Sequence, residues 1–192
     1  MGMRPVYAVG KGVLVVLNDE INSAREVAKT NTYRLETFQS GQLGFLGYVD
    51  ANGEVVFYRD VARLHTSRSA FSRTSVATWP RVDIVYSYAG ADGAFINAAC
   101  EAGTRGIVVA GTGAGLVSSA EMAALQTARA AGVMVVRSNR LGNGRVLPLA
   151  KYTAHGFVSA DNLTPQKARI LLMLALEKTN DVHSIQAFFD QY

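Results

Sequence analysis

The chain has 192 residues, of which 49% are apolar and 18% charged, and 19 basic against 15 acidic side chains give a formal charge of +4. This composition excludes a disordered chain and leaves room for one ordinary domain or two small ones. The basic residues form no run of five, so no nucleic-acid partner is indicated. No apolar run is long enough to span a membrane, and the opening "MGMRPVYAVG" is too broken for a secretory signal, which leaves the cellular location open.

Cysteine and histidine usage argues against a metal or redox centre. Cys100 is the only cysteine, so an internal disulfide and a thiolate cluster are excluded, and its helical context predicts a small buried apolar group. The three histidines, His65, His155 and His183, show no ligand spacing. We therefore expect no metal site and no cofactor.

The first third of the chain contains few periodic segments. Residues 12–17, "GVLVVL", predict a buried strand, and residues 20–42 predict a loop with one helical turn. Asn52-Gly53 lies between two runs of β-forming residues and predicts a hairpin. Residues 63–80, rich in Ser, Thr and Arg, are typical of a linker.

After Pro80, strand and helix patterns alternate. Strands are predicted at "RVDIVYSY", "RGIVVAG", "GVMVVRS" and "HGFVSAD". Four helices are predicted. The first runs from an Asp92 cap to about Ala102, and the second covers 119–131 with Ser118 and Glu121 as a capping box. The third runs from Thr164-Pro165 to Lys178, and the last begins at Asp181.

This alternation predicts an α/β fold with a small parallel sheet covered by helices on both faces. Ligands of such sheets bind beyond the carboxyl ends of the strands, which points to the loops at 89–93, 111–117 and 138–145. We divide the chain into residues 1–65, a linker at 66–80, and a compact α/β domain at 81–192.

The stretch "GTGAG" at 111–115 follows a strand and precedes a helix, where a phosphate-binding loop would lie. The dinucleotide fingerprint needs a third glycine, but Leu116 or Ser118 occupies that position. The stretch therefore predicts a tight turn with free backbone amides, which are suited to holding a carboxylate.

Several stretches, read together, resemble bacterial type II L-asparaginases. They are "GVLVVLNDEINSAREVAKTNTYRLETFQS", "RVDIVYSYAGADGAFINAACEAGTRGIVVAGTGAGLVSS", "VVRSNRLGNGRV" and "GFVSADNLTPQKARILLMLAL". The resemblance runs from about residue 12 to the C-terminus in the family's order. It implies that residues 1–65 are the end of the family's large domain and that residues 81–192 are its small domain.

The resemblance implies hydrolysis of the side-chain amide of L-asparagine, and sometimes of L-glutamine, without a metal or organic cofactor. One threonine attacks the amide carbon, and a second threonine is activated by an aspartate and a lysine. The lysine in "AREVAKTNT" is Lys29, which by residue type alone would be a solvated surface charge.

The family's "TGGTI"-like and "GTDT"-like segments, which carry the two threonines, do not occur in this chain. "GMRP" at 2–5 is similar to the family's "GAMRP", upstream of the central strand. We therefore expect the chain to be inactive alone and to need a complementing N-terminal segment. The alternatives are a non-catalytic module that binds a complementary or identical chain, and a stand-alone structural domain.

Family sites are completed across a dimer interface by a "GxGNGN"-like loop and an acidic residue of a later loop. The corresponding turn here is formed by Gly113, Ala114 and Gly115. Ala114 in this turn and Leu116 just after it occupy the positions of the family's two asparagines. The later loop, "LGNGRVLPLAKYTAHG", contains no acidic residue. The resemblance thus implies a homo-oligomer in which this turn contacts the substrate of a neighbouring copy.

A strand at "GVLVVL" that lacks its upstream neighbours would leave an unpaired apolar edge, and such edges promote pairing between chains. We expect the purified chain to be oligomeric or poorly soluble. Light scattering tests this, and a monodisperse monomer would contradict it.

Overall fold

The computed structural model describes residues 7–75 and 77–192, so the "GMRP" segment at 2–5 lies outside the described residues. The chain divides into two compact units. One comprises the residues up to Arg73 together with Tyr192, and the other runs from Thr74 to Gln191. The division falls inside the stretch 66–80, whose composition predicts a linker.

The described part of the first unit is built from short strands. They are β1 (Leu14–Leu17), β2 (Glu20–Ser23), β3 (Ala28–Lys29), β4 (Phe38–Gln39), β5 (Gly47–Val49) and β6 (Val55–Phe57), with single 3-10 turns at Gly41–Leu43 and Thr66–Arg68. An antiparallel sheet has the strand order β1-β2-β5-β6, and β3 and β4 form a separate two-stranded ladder.

The hairpin predicted at Asn52-Gly53 is confirmed, because it joins β5 to β6 and Gly53 adopts the left-handed φ of 82° that this turn needs. Gly47 of β5 lies against β6 so closely that a Cβ there would be 1.9 Å from the carbonyl oxygen of Val56. Only glycine fits at that position without moving the strands.

The prediction that "GVLVVL" is a buried strand is wrong. β1 is the outermost strand of its sheet, Leu14, Val15 and Val16 are half-buried, and Leu17 is exposed. An apolar run predicts a strand well, but whether the strand is buried depends on what lies beside it, and no described strand pairs with the outer side of β1.

The prediction of a loop with one helical turn over residues 20–42 is wrong in part. The stretch contains a loop at 30–37 and a 3-10 turn that begins at Gly41, but it also contains β2, β3 and β4. Because the stretch is polar, its composition did not indicate that β2 is buried. Asn22 and Ser23 are buried on β2, and Ser40 donates a hydrogen bond to the Asn22 side chain over 2.6 Å. Buried polar groups are tolerated where they are hydrogen-bonded in this way.

The second unit contains β7 (Val82–Tyr86), α1 (Ala94–Glu101), β8 (Gly106–Gly111), α2 (Ser119–Ala130), β9 (Met134–Asn139), α3 (Ala150–Thr153), β10 (Val158–Ser159), α4 (Pro165–Leu176) and α5 (Val182–Gln191). The four strands are parallel, in the order β10-β9-β8-β7. The short helix α3 is an element that the sequence pattern did not predict.

Helices cover both faces of this sheet, as predicted. Ile107 of β8 belongs to a core cluster with Ile96 of α1 and Leu125 of α2. The neighbouring residue Gly106 faces the other way, since a Cβ there would lie 2.7 Å from the side chain of Leu172 on α4. No helix in the described ranges is long and apolar enough to cross a membrane.

The predicted capping box at the start of α2 is confirmed: the Ser118 hydroxyl accepts the Glu121 amide, and the Glu121 carboxylate accepts the Ser118 amide. The predicted Asp92 cap of α1 is displaced by one residue. Gly93 occupies the cap position, and the Asp92 carboxylate accepts the amide of Ala94 over 2.9 Å.

The Ser118 hydroxyl also donates to the carbonyl of Ala91 over 2.8 Å, so Ser118→Ala removes two hydrogen bonds. We expect a loss of about 1–2 kcal/mol in the free energy of unfolding, measured by urea denaturation. Thr164→Ala is the matched control, because Thr164 caps α4 without a side-chain hydrogen bond. Equal losses in the two variants would contradict the role assigned to the capping box.

Candidate functional site

Lys29 lies on β3 opposite Phe38 of β4, and it is exposed. Among the residues that the structure describes, none forms an ion pair or hydrogen bond with its ammonium group. The two-stranded ladder therefore holds the main chain of Lys29 in place and leaves its charge available.

Two threonines flank Lys29 in this ladder, but both hydroxyls are occupied. Thr30 Oγ1 donates to the carbonyl of Thr37 over 2.9 Å. Thr37 Oγ1 donates to the carbonyl of Asn31 and accepts the Asn31 amide. A hydroxyl nucleophile needs a base that takes its proton, and a backbone carbonyl cannot serve as one. These threonines shape the loop between β3 and β4.

The tight turn predicted at "GTGAG" follows β8 in the second unit. Thr112 and Leu116 close it with two backbone hydrogen bonds of 2.9 and 2.8 Å. The amides of Gly113, Ala114 and Gly115 have no acceptor within the described part of the chain. The turn thus presents three backbone donors in succession.

Glycines are required at this turn by close approach and by backbone conformation. A Cβ on Gly111 would lie 2.6 Å from the carbonyl carbon of Gly115. Gly113 and Gly115 have φ values of 47° and 76°, in the left-handed region that favours glycine. The turn therefore has little freedom to adopt another shape.

Arg137, on β9, holds the other side of the turn and is 1% exposed. Its Nε donates to the carbonyl of Gly115 over 3.1 Å, its Nη2 to that of Ala114 over 3.0 Å, and its Nη1 to that of Leu147 over 3.4 Å. The guanidinium carbon lies 3.6 Å from the ring centroid of Tyr152, a cation–π contact. Burial lowers the pKa of Arg137, and the neighbouring Tyr152 partly offsets this effect.

A second polar network connects the same end of the sheet to α2. Arg140, just after β9, donates to the carbonyl of Ser87 over 2.9 Å. The Ser87 hydroxyl donates to the buried carboxylate of Glu121 over 2.7 Å. The carboxyl ends of β7 and β9 are therefore tied to the start of α2.

Sequence reasoning missed Arg137 and Asp161 as parts of this region. Asp161, nearly buried just after β10, forms an ion pair with Arg145 of the later loop. An arginine inside the apolar run "VMVVRSN" was the available signal for Arg137, since an arginine is rarely buried without a partner. Nothing in the spacing indicated that the 111–115 turn would be that partner.

Cys100 is half-buried on α1 and packs against the core cluster of the second unit. Burial raises the pKa of its thiol, and Glu101 adds to this effect. A thiol with a raised pKa is a poor nucleophile. Cys100 therefore has the packing role that was predicted, but it is half-buried and not buried as expected.

Two family models match the chain. One, described as "Glutaminase/Asparaginase C-terminal domain", matches residues 81–189, and the other, described as "Asparaginase, N-terminal", matches residues 5–63. The chain therefore belongs to the glutaminase/asparaginase family of hydrolases. Within that family it is a member of the type II asparaginase group, as the sequence resemblance implied.

Similar proteins include L-asparaginase 2 of Bacillus subtilis, with 47% identity over 96% of this chain and 49% of that protein. L-asparaginase 2 of Escherichia coli is 42% identical over 96% of this chain and 53% of its own length. The crystal structure of the probable cytoplasmic L-asparaginase from Campylobacter jejuni covers 95% of this chain and 58% of its own, with a TM-score of 0.90 and 43% identity. The chain spans about half the length of the curated relatives it matches.

Replacement of Arg137 by lysine tests whether the hydrogen bonds of Arg137 stabilise the turn at 111–116. Lysine keeps the charge, but it cannot donate to three separate carbonyls or stack flat on Tyr152. In Arg137→Lys we expect the bonded amides of Thr112 and Leu116 to exchange hydrogen at least tenfold faster, and stability to fall by roughly 2 kcal/mol.

Arg129→Lys is the control, because Arg129 makes one 3.3 Å bond to the carbonyl of Gly156 on a more exposed surface. Exchange at Thr112 and Leu116 should be unchanged in this variant. If Arg137→Lys leaves both amides as protected as in the parent chain, the turn holds its shape without the arginine.

Proposed function

We propose that this chain is the lysine-bearing part of an enzyme that hydrolyses L-asparagine to aspartate and ammonia, with L-glutamine as a second substrate. The observation that carries the proposal is the match to both family models in one chain, with 47% and 42% identity to two proteins named L-asparaginase 2. A relative from Pseudomonas fluorescens, 41% identical over 96% of this chain and 51% of its own length, is named glutaminase-asparaginase. That name supports glutamine as the second substrate.

In this proposal Lys29 belongs to the relay that activates a threonine. Its exposed ammonium is close in sequence to polar residues and is engaged by none of the described residues. A cation beside a threonine hydroxyl favours the deprotonated, nucleophilic form of that hydroxyl. The threonine's oxygen then attacks the amide carbon, and the amide nitrogen takes up the threonine's proton and leaves as ammonia. A water molecule cleaves the resulting ester, which releases aspartate and restores the threonine hydroxyl.

The threonines themselves have to come from a polypeptide with the family's "TGGTI" and "GTDT" segments, which the sequence lacks. Thr30 and Thr37 do not replace them, because each donates its hydroxyl proton to a backbone carbonyl. We therefore propose that the chain alone hydrolyses no asparagine. Loss of the nucleophile alone lowers turnover by several orders of magnitude in enzymes of this kind.

The turn Gly113–Gly115 is proposed to contact the substrate bound by a neighbouring copy in a homo-oligomer. Ala114 and Leu116 offer no side-chain donor, so recognition would fall to the backbone amides. Three free amides in a fixed turn suit the α-carboxylate of an amino acid. This arrangement predicts weaker selection for the substrate's α-amino group, since the later loop has no acidic residue to pair with it.

The test is ammonia release from L-asparagine by the purified chain, alone and mixed with a polypeptide that carries the missing N-terminal segment. We expect no activity alone and recovery on mixing. Lys29→Ala should then lower the recovered rate by roughly a thousandfold, because the threonine loses its activating cation.

Arg34→Ala provides the control, since Arg34 is an exposed cation in the same loop and its ion pair among the described residues is to exposed Glu36. It should leave the recovered rate within about twofold. Strong activity of the chain alone that survives Lys29→Ala would show that another nucleophile is at work.

The second candidate is a non-catalytic module that binds a complementary or identical chain. The outer strand β1 favours it, because no described strand pairs with its outer edge and an open strand edge favours pairing with another chain. Complex formation on mixing without any ammonia release would support this candidate over the enzyme.

A further inference from the structure

Two asparagines in the chain are followed directly by glycine, in the pairs Asn52-Gly53 and Asn143-Gly144. Asparagine is one of the chemically labile side chains, and its amide can be lost without an enzyme when the next backbone nitrogen attacks it. Glycine as the next residue favours this attack, because it has no Cβ to shield its nitrogen and its backbone is free to turn. The nitrogen must still be able to reach the asparagine side chain, and the two pairs differ in this respect.

The Asn52-Gly53 pair is held in place by the hairpin between β5 and β6. The Gly53 amide donates to the carbonyl of Asp50 over 2.7 Å, and Asn52 Oδ1 accepts the amide of Glu54 over 2.9 Å. The Asp50 amide donates in turn to the Glu54 carbonyl over 2.8 Å. Attack by the Gly53 nitrogen therefore requires its own hydrogen bond to break and the Asn52 side chain to leave Glu54.

The Asn143-Gly144 pair lies in an open part of the later loop. The amides of residues 142–145 have no acceptor within the described part of the chain, and the Asn143 side chain has no hydrogen-bond partner there. The nearest amides of the loop that do have acceptors are those of Leu141 and Val146. Both Asn143 and Gly144 are exposed, and a Cβ on Gly144 would meet no atom within 4 Å. No described contact thus opposes the approach of the Gly144 nitrogen to the side chain before it.

We propose that Asn143 is a site of spontaneous deamidation in the folded chain and that Asn52 is protected. The Gly144 nitrogen forms a bond to Asn143 Cγ, and its proton passes through solvent to the amide nitrogen, which leaves as ammonia. The product is a cyclic imide. A water molecule then opens the imide at either carbonyl, which yields aspartate or isoaspartate at position 143.

This modification adds negative charge to a stretch that has none. Residues 138–155 contain no aspartate or glutamate, and their charged side chains are Arg140, Arg145 and Lys151. Each deamidation lowers the formal charge of +4 by one unit. The Arg145 side chain is 66% exposed although it pairs with Asp161, so a new carboxylate two residues away has a cation within reach. An exposed pair of this kind costs the fold little.

The new charge also lies close to the turn at 111–116. A Cβ on Gly115 of that turn would be 2.9 Å from the side chain of Val146, so the turn and the later loop are in contact. Position 143 is three residues before Val146, and three residues span at most about 11 Å. This is roughly one Debye length in dilute buffer, so the charge is felt at the turn. Deamidation therefore makes this edge of the sheet less favourable to anions as the chain ages.

The test compares the two asparagines within one chain. The purified full chain is kept in mildly alkaline buffer, where a backbone nitrogen loses its proton more readily, and samples are digested at intervals. Mass spectrometry detects the replacement of NH2 by OH and assigns it to the peptide with Asn52 or with Asn143. We expect Asn143 to react at least tenfold faster, because reaction at Asn52 first has to break the hydrogen bonds of the hairpin.

The same incubation in concentrated urea is the control for the role of the fold. There the hairpin is lost, and the two Asn-Gly pairs should react within about threefold of each other. Equal rates in the folded chain, or faster reaction at Asn52, would overturn the proposal. It would also be overturned if Asn143 stayed intact in the folded chain while reacting in urea.

The variant Asn143→Ser separates this reaction from the proposed function. It removes the reactive amide at an exposed position, and we expect the acidic form of the chain to disappear in isoelectric focusing. In the parent chain the ammonia from Asn143 cannot exceed one molecule per chain and is unaffected by Lys29→Ala, whereas turnover of asparagine exceeds that amount and requires Lys29. An acidic form that persists in Asn143→Ser would assign the modification to another residue and contradict the proposal.

Discussion

The parallel pairing of β8 with β9 is the constraint on which the second unit depends. All residues of both strands are buried, and they pair in register from Gly106–Met134 to Gly111–Asn139. A parallel pair of this kind is stable only with both faces covered, which requires the two groups of helices. It also brings the residues after Gly111 next to the end of β9, so the position of the glycine turn follows from the sheet.

The proposed chemistry is divided between the two units, and each unit supplies a different kind of group. The first holds a cation, Lys29, on a short ladder whose own threonines are used as structural groups. The second holds backbone donors in a turn of fixed shape. In the proposal each of these is only part of a site, because neither a cation nor a turn that binds a carboxylate can cleave an amide without a nucleophile. The proposal of a completing polypeptide follows from this division.

The sequence predicted the second unit better than the first for identifiable reasons. Its strands are apolar β-branched runs, and the Ser118–Glu121 spacing is a local signal, so both can be read without knowing the fold. β2 was missed because Asn22 is buried through a bond to Ser40, eighteen positions away. Arg137 was missed because the carbonyls it donates to, those of Ala114, Gly115 and Leu147, lie in two loops outside its own strand. Lys29 could be singled out only by family resemblance, since residue type alone predicts a surface charge.

Arg137 contacts the turn only through hydrogen bonds to the backbone carbonyls of Ala114 and Gly115. The shape of the turn therefore does not depend on which side chains it carries. Thr112, Ala114 and Leu116 can be exchanged without loss of a bond to the arginine. The glycines and Arg137 thus determine the backbone conformation of the turn, and the side chains between the glycines contribute little to it. In the proposed role of this turn, divergence at these three positions would alter which amino acid is recognised and leave the fold unchanged.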